Sequence, residues 1–143
     1  MSARSGHFLR PLLRERERTF VLQDLDAGVP LATAVETAVD SATRRRGLLG
    51  RTVFPEGSAL VIAPCPAVHT FFMKMRIDIV FASREGVVLK TYANVPPWRI
   101  AFSGTAFATI ELPVGTLART GTGRGHRLQL IPADGTGGPP RSS

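Results

Sequence analysis

The chain has 143 residues, of which 43% are hydrophobic and 20% are charged, and its formal net charge is +7. This composition is typical of a soluble globular protein, and the length excludes two domains of ordinary size. The single cysteine excludes an internal disulfide, and no apolar run reaches the ~20 residues that span a bilayer.

The positive charge is spread along the chain. Sixteen of the eighteen cationic residues are arginines, and the chain offers one tryptophan and one tyrosine as platforms for stacked bases. This scatter argues against a nucleic-acid partner, because surfaces that bind nucleic acid combine clustered cations with aromatic side chains. The first 18 residues hold no uninterrupted apolar stretch of signal-peptide length, so we expect a cytoplasmic protein.

The first half of the chain predicts an arm, two strands and a helix. Residues 1–18 predict a solvated arm, flexible or partly helical, because LLRERER alternates charges and has little to bury. Extended segments follow at 19–23 and 31–39, with a turn at 27–30. Asp40 and Ser41 are good N-cap residues, so we predict one short helix around residues 41–50.

The second half predicts a series of short strands, at 59–63, 77–82, 87–93, 105–112 and 127–131. The REG sequence at 84–86 predicts a hairpin between two of them. Residues 19–132 therefore predict a mainly-β single domain, a compact β-sandwich or a squat barrel. Residues 133–143 are typical of a disordered tail.

The segment at 65–81, CPAVHTFFMKMRIDIVF, places polar groups in an apolar run. Such groups cost roughly 1–3 kcal/mol each when they are buried without partners, so we expect the His69 imidazole to be buried and held by a neighbour. Cys65, His69 and Met73 are spaced by four residues and form the soft ligand set that Cu(I) prefers. The alternative is structural, with Cys65 and Met73 as core side chains and His69 bonded to a backbone carbonyl.

Asp78 lies between two isoleucines of a predicted strand, where it either faces solvent or is buried and paired. We favour a structural ion pair with an arginine, for which Arg46, Arg51, Arg76 and Arg99 are the candidates. Two catalytic combinations remain open. His69 with Asp78 could form an acid–base pair, and Cys65 with His69 could form a nucleophile pair.

Two further features are candidates for binding. The arginines at 44–46 and Arg51 could hold an anion, although a solvated face whose long stems cover the core is the simpler interpretation. Trp98 follows two prolines, and it could anchor a partner or cover one sheet edge.

The chain resembles a known family. RRRGLLGR at 44–51, HTFFMKMRIDIVF at 69–81, VVLKTY, PPWR at 96–99 and IELPVG at 110–115 follow in the order seen in the domain of unknown function 192 (DUF192) family. The resemblance covers residues 20–131 and implies a small mainly-β domain with no established activity or cofactor. This chain departs from the pattern at His126, where relatives commonly have aspartate, and at Val114, where a smaller alanine is usual.

These observations favour a binding or accessory module. Its expected ligand is a small anion, a peptide or a protein partner. The expected site is formed by His69, Thr70, Met73 and Asp78, with Arg46 or Arg51. The alternatives are an enzyme that uses His69 and Asp78, and Cu(I) binding by Cys65, His69 and Met73.

Overall fold

The computed structural model describes residues 6–14, 18–38 and 51–134. These segments contain ten strands and two short helices. In chain order they are α1 (Arg10–Arg14), β1 (Phe20–Asp24), β2 (Val29–Ala32), β3 (Ala34–Ala38), β4 (Ser58–Ile62), β5 (Ala67–His69), β6 (Ile77–Ala82), β7 (Val88–Val95), β8 (Ile100–Phe102), β9 (Ala108–Pro113), α2 (Thr116–Thr120) and β10 (Leu128–Pro132).

The strands of this part of the chain form three sheets. One has three strands in the order β10-β1-β2, one has five in the order β3-β4-β9-β6-β7, and β5 pairs with β8 in a separate two-stranded ribbon. The β3–β4 pair is parallel, and the other pairs are antiparallel. The mainly-β prediction is confirmed, and the described strands form open sheets rather than a closed barrel. The helix predicted around 41–50 lies outside the described residues.

The five-stranded sheet has a hydrophobic cluster on each face. On the first face, side chains of β4, β6 and β9 pack against β1, β2 and β10, as Val61, Val80 and Ile110 illustrate. On the second face, alternate residues such as Leu60 and Ile79 lie under the β5–β8 ribbon and Met73. Every residue of β6 and β9 is consequently buried, so a charged residue in either strand is forced into the interior.

The segment before β1 contributes to the first cluster. Leu9 and Leu12 are 1% and 6% exposed, and the N–H of Phe8 donates to the carbonyl of Arg84. The helix α1 lies within residues 1–18, which the sequence predicts to be flexible or partly helical. The expectation that these residues have little to bury is wrong. Leu9 and Leu12 are spaced by three residues, which places both on one face of a helix turn.

The extended segment predicted at 31–39 divides into two strands at Thr33. The N–H groups of Thr33 and Ala34 both donate to the carbonyl of Gly57, at 2.7 and 3.0 Å. This contact separates β2, in the three-stranded sheet, from β3, in the five-stranded sheet. The chain thereby joins the two layers of the sandwich.

The hairpin predicted at the REG turn is confirmed as β6–β7. Gly86 has a φ of +90° and its N–H donates to the carbonyl of Ser83. A positive φ is accessible to glycine because it carries no Cβ. Within the described residues, no helix has the length and apolar character needed to cross a membrane.

Candidate functional site

A cleft of about 480 Å³ lies beside the end of β9 and the start of α2. One wall comes from residues 113–119, and the other comes from residues 52–56 together with 75 and 76. Its apolar lining includes Phe54, Met75, Pro113 and Val114, and its charged lining consists of Glu56, Arg76 and Arg119. This volume is within the range of small-molecule sites, which combine apolar walls with a few polar groups.

The charged groups of the cleft carry a net positive charge. The Nε of Arg119 is 3.1 Å from a carboxylate oxygen of Glu56, in a pair whose side chains are 45% and 74% exposed. An exposed pair of this kind contributes little to stability, so Arg119 can exchange partners at small cost. Arg76 donates to the backbone carbonyl and the side-chain oxygen of Asn94, at 3.2 and 3.3 Å. Two guanidinium groups and one carboxylate leave one excess positive charge at the cleft.

Asp78 links the backbone at Asn94 to the helix α2 beside this cleft. The side chain is 1% exposed. One carboxylate oxygen accepts the N–H of Asn94 and the other accepts the N–H of Leu117, each at 2.8 Å. Asn94 in turn positions Arg76, while Leu117 lies in the helix that presents Arg119.

The observed partners of Asp78 differ from the arginine that the sequence analysis favoured. Burial of this side chain was one of the two predicted alternatives, but its partners among the described residues are backbone amides and not the guanidinium of an arginine. Arg76, one of the expected partners, binds Asn94 instead. Asn94 has a φ of +57° and lies opposite a register shift in the β6–β7 pairing, which turns its N–H toward Asp78.

A second buried carboxyl, Glu111, was missed by the sequence analysis. It lies in the centre of β9, opposite Leu60 and Ile79, and is 4% exposed. In the described part of the chain it makes no hydrogen bond. Burial raises its pKa to about 7, and the nearby Arg51 opposes this rise. A buried carboxyl that titrates near neutrality is a common property of functional sites.

Glu111 lies close to the cleft. Alternation along β9 places it on the same face as Pro113, which lines the cleft. Phe54 and Met75 line the cleft and also pack on the second hydrophobic cluster, which covers this face. The signal that marked Asp78, an acid between two apolar residues of a strand, was also present at Glu111 and would have found it.

Of the two arginines in the expected site, one is described. Arg51 forms an ion pair with Glu36 of β3, at 3.0 Å, and its charge acts on Glu111. Arg46 lies outside the described residues, as do the other arginines at 44–45.

The remaining expected site residues lie at the β5–β8 ribbon. His69 is exposed at the end of β5, where its Nδ1 accepts the N–H of Phe71. Thr70 and Met73 are buried, at 1% and 6% exposed. The described residues contain no hydrogen bond between His69 and Asp78, so the acid–base pair that the sequence allowed is not formed here. The expectation that the His69 imidazole is buried is wrong.

The three residues considered for Cu(I) are held in different ways. The thiol of Cys65 donates to the carbonyl of Ala67 at 2.9 Å, and Met73 belongs to the second hydrophobic cluster. His69 is exposed, with its ring 4.8 Å from that of Phe71. Across the described ranges, no group of three or more His, Cys, Asp and Glu side chains is placed to hold a metal ion.

The two departures from the family pattern have different surroundings. His126 lies 2.8 Å from a carboxylate oxygen of Asp24, which is fully buried and also accepts the hydroxyl of Thr122 at 2.6 Å. Burial raises the pKa of Asp24, but hydrogen bonds from Thr122, the Ala27 amide and His126 outweigh this and lower it overall. Val114 lies in the lining of the cleft.

The fold and the cleft define this chain as a small β-sandwich domain with a cation-lined cleft. Residues 23–130 match the model of the DUF192 family, described as "Uncharacterized ACR". The chain therefore belongs to the DUF192 family, and the resemblance seen in its motifs is confirmed. No curated protein matches the chain.

Two solved structures have a similar fold. One is a Sinorhizobium meliloti protein for which a role as a transcription regulator has been suggested, with a TM-score of 0.70, 23% identity, and coverage of 79% of this chain and 92% of that chain. The other is a protein of unknown function from Novosphingobium aromaticivorans, with a TM-score of 0.66, 22% identity, and coverage of 78% and 83%. At these identities the likeness establishes the fold.

Proposed function

We propose that this protein is a binding module that takes a small organic anion into the cleft beside β9 and α2. The acidic group of the ligand would lie between Arg76 and Arg119, and its apolar part would contact Phe54 and Met75. The observation that carries the proposal is the pair of guanidinium groups at a cleft whose lining also contains apolar side chains. Guanidinium groups bind carboxylates and phosphates through paired, charge-assisted hydrogen bonds.

Asp78 has a positioning role in this proposal. Its two oxygens fix the backbone at Asn94 and at Leu117, and so they set the separation of the two arginines. Both oxygens accept these amides and the side chain is 1% exposed, so Asp78 is a structural anchor that solvent barely reaches. This arrangement favours binding over catalysis as the function of the site.

The proposal is tested by calorimetric titration of the protein with benzoate, acetate, inorganic phosphate and uncharged benzamide. Benzoate has both an apolar ring and a carboxylate, so we expect it to bind more tightly than the other three probes. Arg76→Gln should weaken benzoate binding by about 10- to 100-fold, because a hydrogen bond to a charged group contributes about 1.5–3 kcal/mol. Arg119→Gln should weaken it in the same direction.

Arg124→Gln is the matched control, because Arg124 is exposed and does not line the cleft. It should leave benzoate binding unchanged. The proposal fails if none of the anions binds, if benzamide binds as tightly as benzoate, or if the Arg124 variant loses affinity to the same extent. A urea-unfolding midpoint close to that of the parent protein verifies that each variant is folded.

A further inference from the structure

Four large apolar side chains are exposed together at the β5–β8 ribbon. Phe72, Trp98, Ile100 and Phe102 are 66%, 56%, 66% and 59% exposed, and we call them the aromatic ridge. Ile100 and Phe102 project from the outer face of β8, because Ala101 between them is buried. The rings of Phe72 and Trp98 are in edge contact, with centroids 4.6 Å apart. An exposed apolar patch of this kind marks an interaction surface.

The backbone that presents the ridge is strained. Phe72 has a φ of +66° and Trp98 a φ of +69°, a region that bulky L residues rarely occupy. Strain of this kind persists only where surrounding contacts enforce it, and it is concentrated at functional sites.

Thr70 supplies the contacts that hold this backbone. Its carbonyl accepts the N–H groups of Met73 and Trp98, at 3.2 and 3.0 Å. Its hydroxyl donates to the carbonyl of Pro96 at 2.7 Å and accepts the N–H of Arg99 at 2.9 Å. Thr70 therefore joins the backbone of the two turns that carry Phe72 and Trp98.

The exposed charged side chains that the structure describes in the turns and strands of the ridge are positive. Lys74, Lys90 and Arg99 are exposed, and the Lys90 ammonium lies 5.4 Å from the centre of the Phe102 ring. Residues 65–107 contain two acids. Of these, Asp78 is buried, and Glu85 lies in the turn between β6 and β7. An apolar ridge bordered by cations is complementary to a partner that has an apolar interior covered by a negatively charged outer layer.

We propose that the aromatic ridge inserts into the interfacial region of a lipid bilayer that contains anionic lipids. Tryptophan and phenylalanine partition to this region, and neighbouring lysines and arginines add attraction to the anionic headgroups. The ridge shares no residue with the cleft, so this proposal stands independently of anion binding.

A bilayer fits the ridge better than a protein partner or a single-stranded nucleic acid does. A stable protein interface buries about 800 Å² on each partner, whereas the ribbon consists of two three-residue strands, each only ~10 Å long. A single-stranded nucleic acid needs ring faces that are free for stacking. The Trp98 ring is stacked on Phe71, with centroids 5.5 Å apart, and also meets Phe72.

The test uses the whole chain with vesicles of phosphatidylcholine alone, and with vesicles of phosphatidylcholine and phosphatidylglycerol in equal parts. Trp98 is the single tryptophan of the chain, so its fluorescence reports directly on the ridge. We expect the protein to sediment with the anionic vesicles and its emission to shift to shorter wavelength. We expect a much weaker effect with phosphatidylcholine alone.

The variants separate the apolar contribution from the electrostatic one. Phe72→Ser and Ile100→Ser should each reduce vesicle binding by roughly tenfold or more, because each removes a large inserted side chain. Lys74→Gln and Arg99→Gln should each reduce binding to anionic vesicles by about fivefold and leave binding to phosphatidylcholine unchanged. Val53→Ser is the control, because Val53 is 68% exposed and is not part of the ridge.

Three outcomes would overturn the proposal. The first is that neither vesicle type sediments the protein or shifts the Trp98 emission. The second is that Val53→Ser reduces binding as much as Phe72→Ser. The third is that the Trp98 emission responds to an oligothymidine, or to the protein's own concentration, while vesicles leave it unchanged. That third result would assign the ridge to nucleic acid or to self-association.

Discussion

Asp78 accepts a hydrogen bond from the backbone N–H of Leu117 at 2.8 Å, across 39 positions of the chain. The bond joins β6, a central strand of the large sheet, to the short helix α2 that follows β9. The other oxygen of the same carboxylate accepts the N–H of Asn94. The buried Asp78 side chain therefore connects the core strand β6 to two segments beside the cleft. Stability and the geometry of the cleft are therefore expected to change together when Asp78 is altered.

We expect Asp78→Asn to destabilise the protein by about 1–3 kcal/mol. An amide has one acceptor oxygen where the carboxylate has two, so one of the two N–H groups at Asn94 and Leu117 loses its partner. Urea unfolding followed by circular dichroism measures the loss. Glu85→Gln is the control, because Glu85 is exposed in the β6–β7 turn, and an equal loss in that variant would contradict the prediction.

Glu111 is expected to make stability fall as the pH rises. Burial raises its pKa from 4.5 to about 7, so between these values the unfolded chain releases a proton that the folded protein retains. The free energy of unfolding then decreases with pH over this range and levels off above it. The shift of about 2.5 units corresponds to at most on the order of 3 kcal/mol.

The Glu111→Gln variant tests this dependence, because glutamine has the same shape and does not ionise. Its unfolding free energy, measured from about pH 4 to about pH 9 so that the range covers the whole interval, should lack the decrease that the parent protein shows. Glu85→Gln should retain that decrease. Parent and Glu111→Gln curves that run parallel between pH 4.5 and 7 would contradict the prediction, because the difference between them isolates Glu111.

His126→Asp is expected to destabilise the fold near neutral pH. The new carboxylate would face Asp24, whose oxygen lies 2.8 Å from the imidazole in the parent protein. Two like charges at this distance disfavour ionisation, so the normally low pKa of Asp24 should rise. We expect a loss of about 1–3 kcal/mol at pH 7, decreasing toward pH 4 as the carboxyls are protonated.

The neutral variant His126→Asn is the comparison for this charge effect. Its amide can still donate to Asp24, so its loss should be smaller and should depend less on pH. Equal losses in the aspartate and asparagine variants, or a loss in the aspartate variant that does not decrease on acidification, would show that charge repulsion is not the cause.

Three glycine-to-alanine substitutions should follow a graded order of cost. Gly86 has a φ of +90°, and an added Cβ would lie 2.5 Å from the backbone oxygen of Leu128. Gly28 has a φ of +73°, but an added Cβ would meet no atom within 4 Å. At Gly104 an added Cβ would also meet no atom within 4 Å, and φ is not positive. We expect Gly104→Ala to be near neutral and Gly28→Ala to cost about 1–2 kcal/mol. Gly86→Ala should cost more, because the clashing atom belongs to the backbone. Chemical denaturation ranks the three, and a Gly86 variant as stable as the Gly28 variant would contradict this order.

The sequence by itself determined the class of fold and much of its strand pattern. Alternating and continuous apolar runs indicated β4, β6 and β9, and the REG turn indicated the β6–β7 hairpin, because these signals depend on neighbouring residues. The motifs at 69–81 and 110–115 were sufficient to indicate the family. Short strands such as β5 and β8 were missed, because three residues carry no usable periodicity and their pairing brings together segments that are about 33 positions apart.

Only the tertiary structure decided what the polar residues do. Asp78 and Glu111 carry the same local signal, an acid between apolar neighbours, yet Asp78 receives two backbone amides while Glu111 receives none among the described residues. His69 stands in an apolar run but is exposed, because the ribbon that carries it lies outside the large sheet. Hydrogen-bond partners and burial depend on contacts between distant segments, and that is why the sequence could name some polar candidates, such as Asp78, but not their partners.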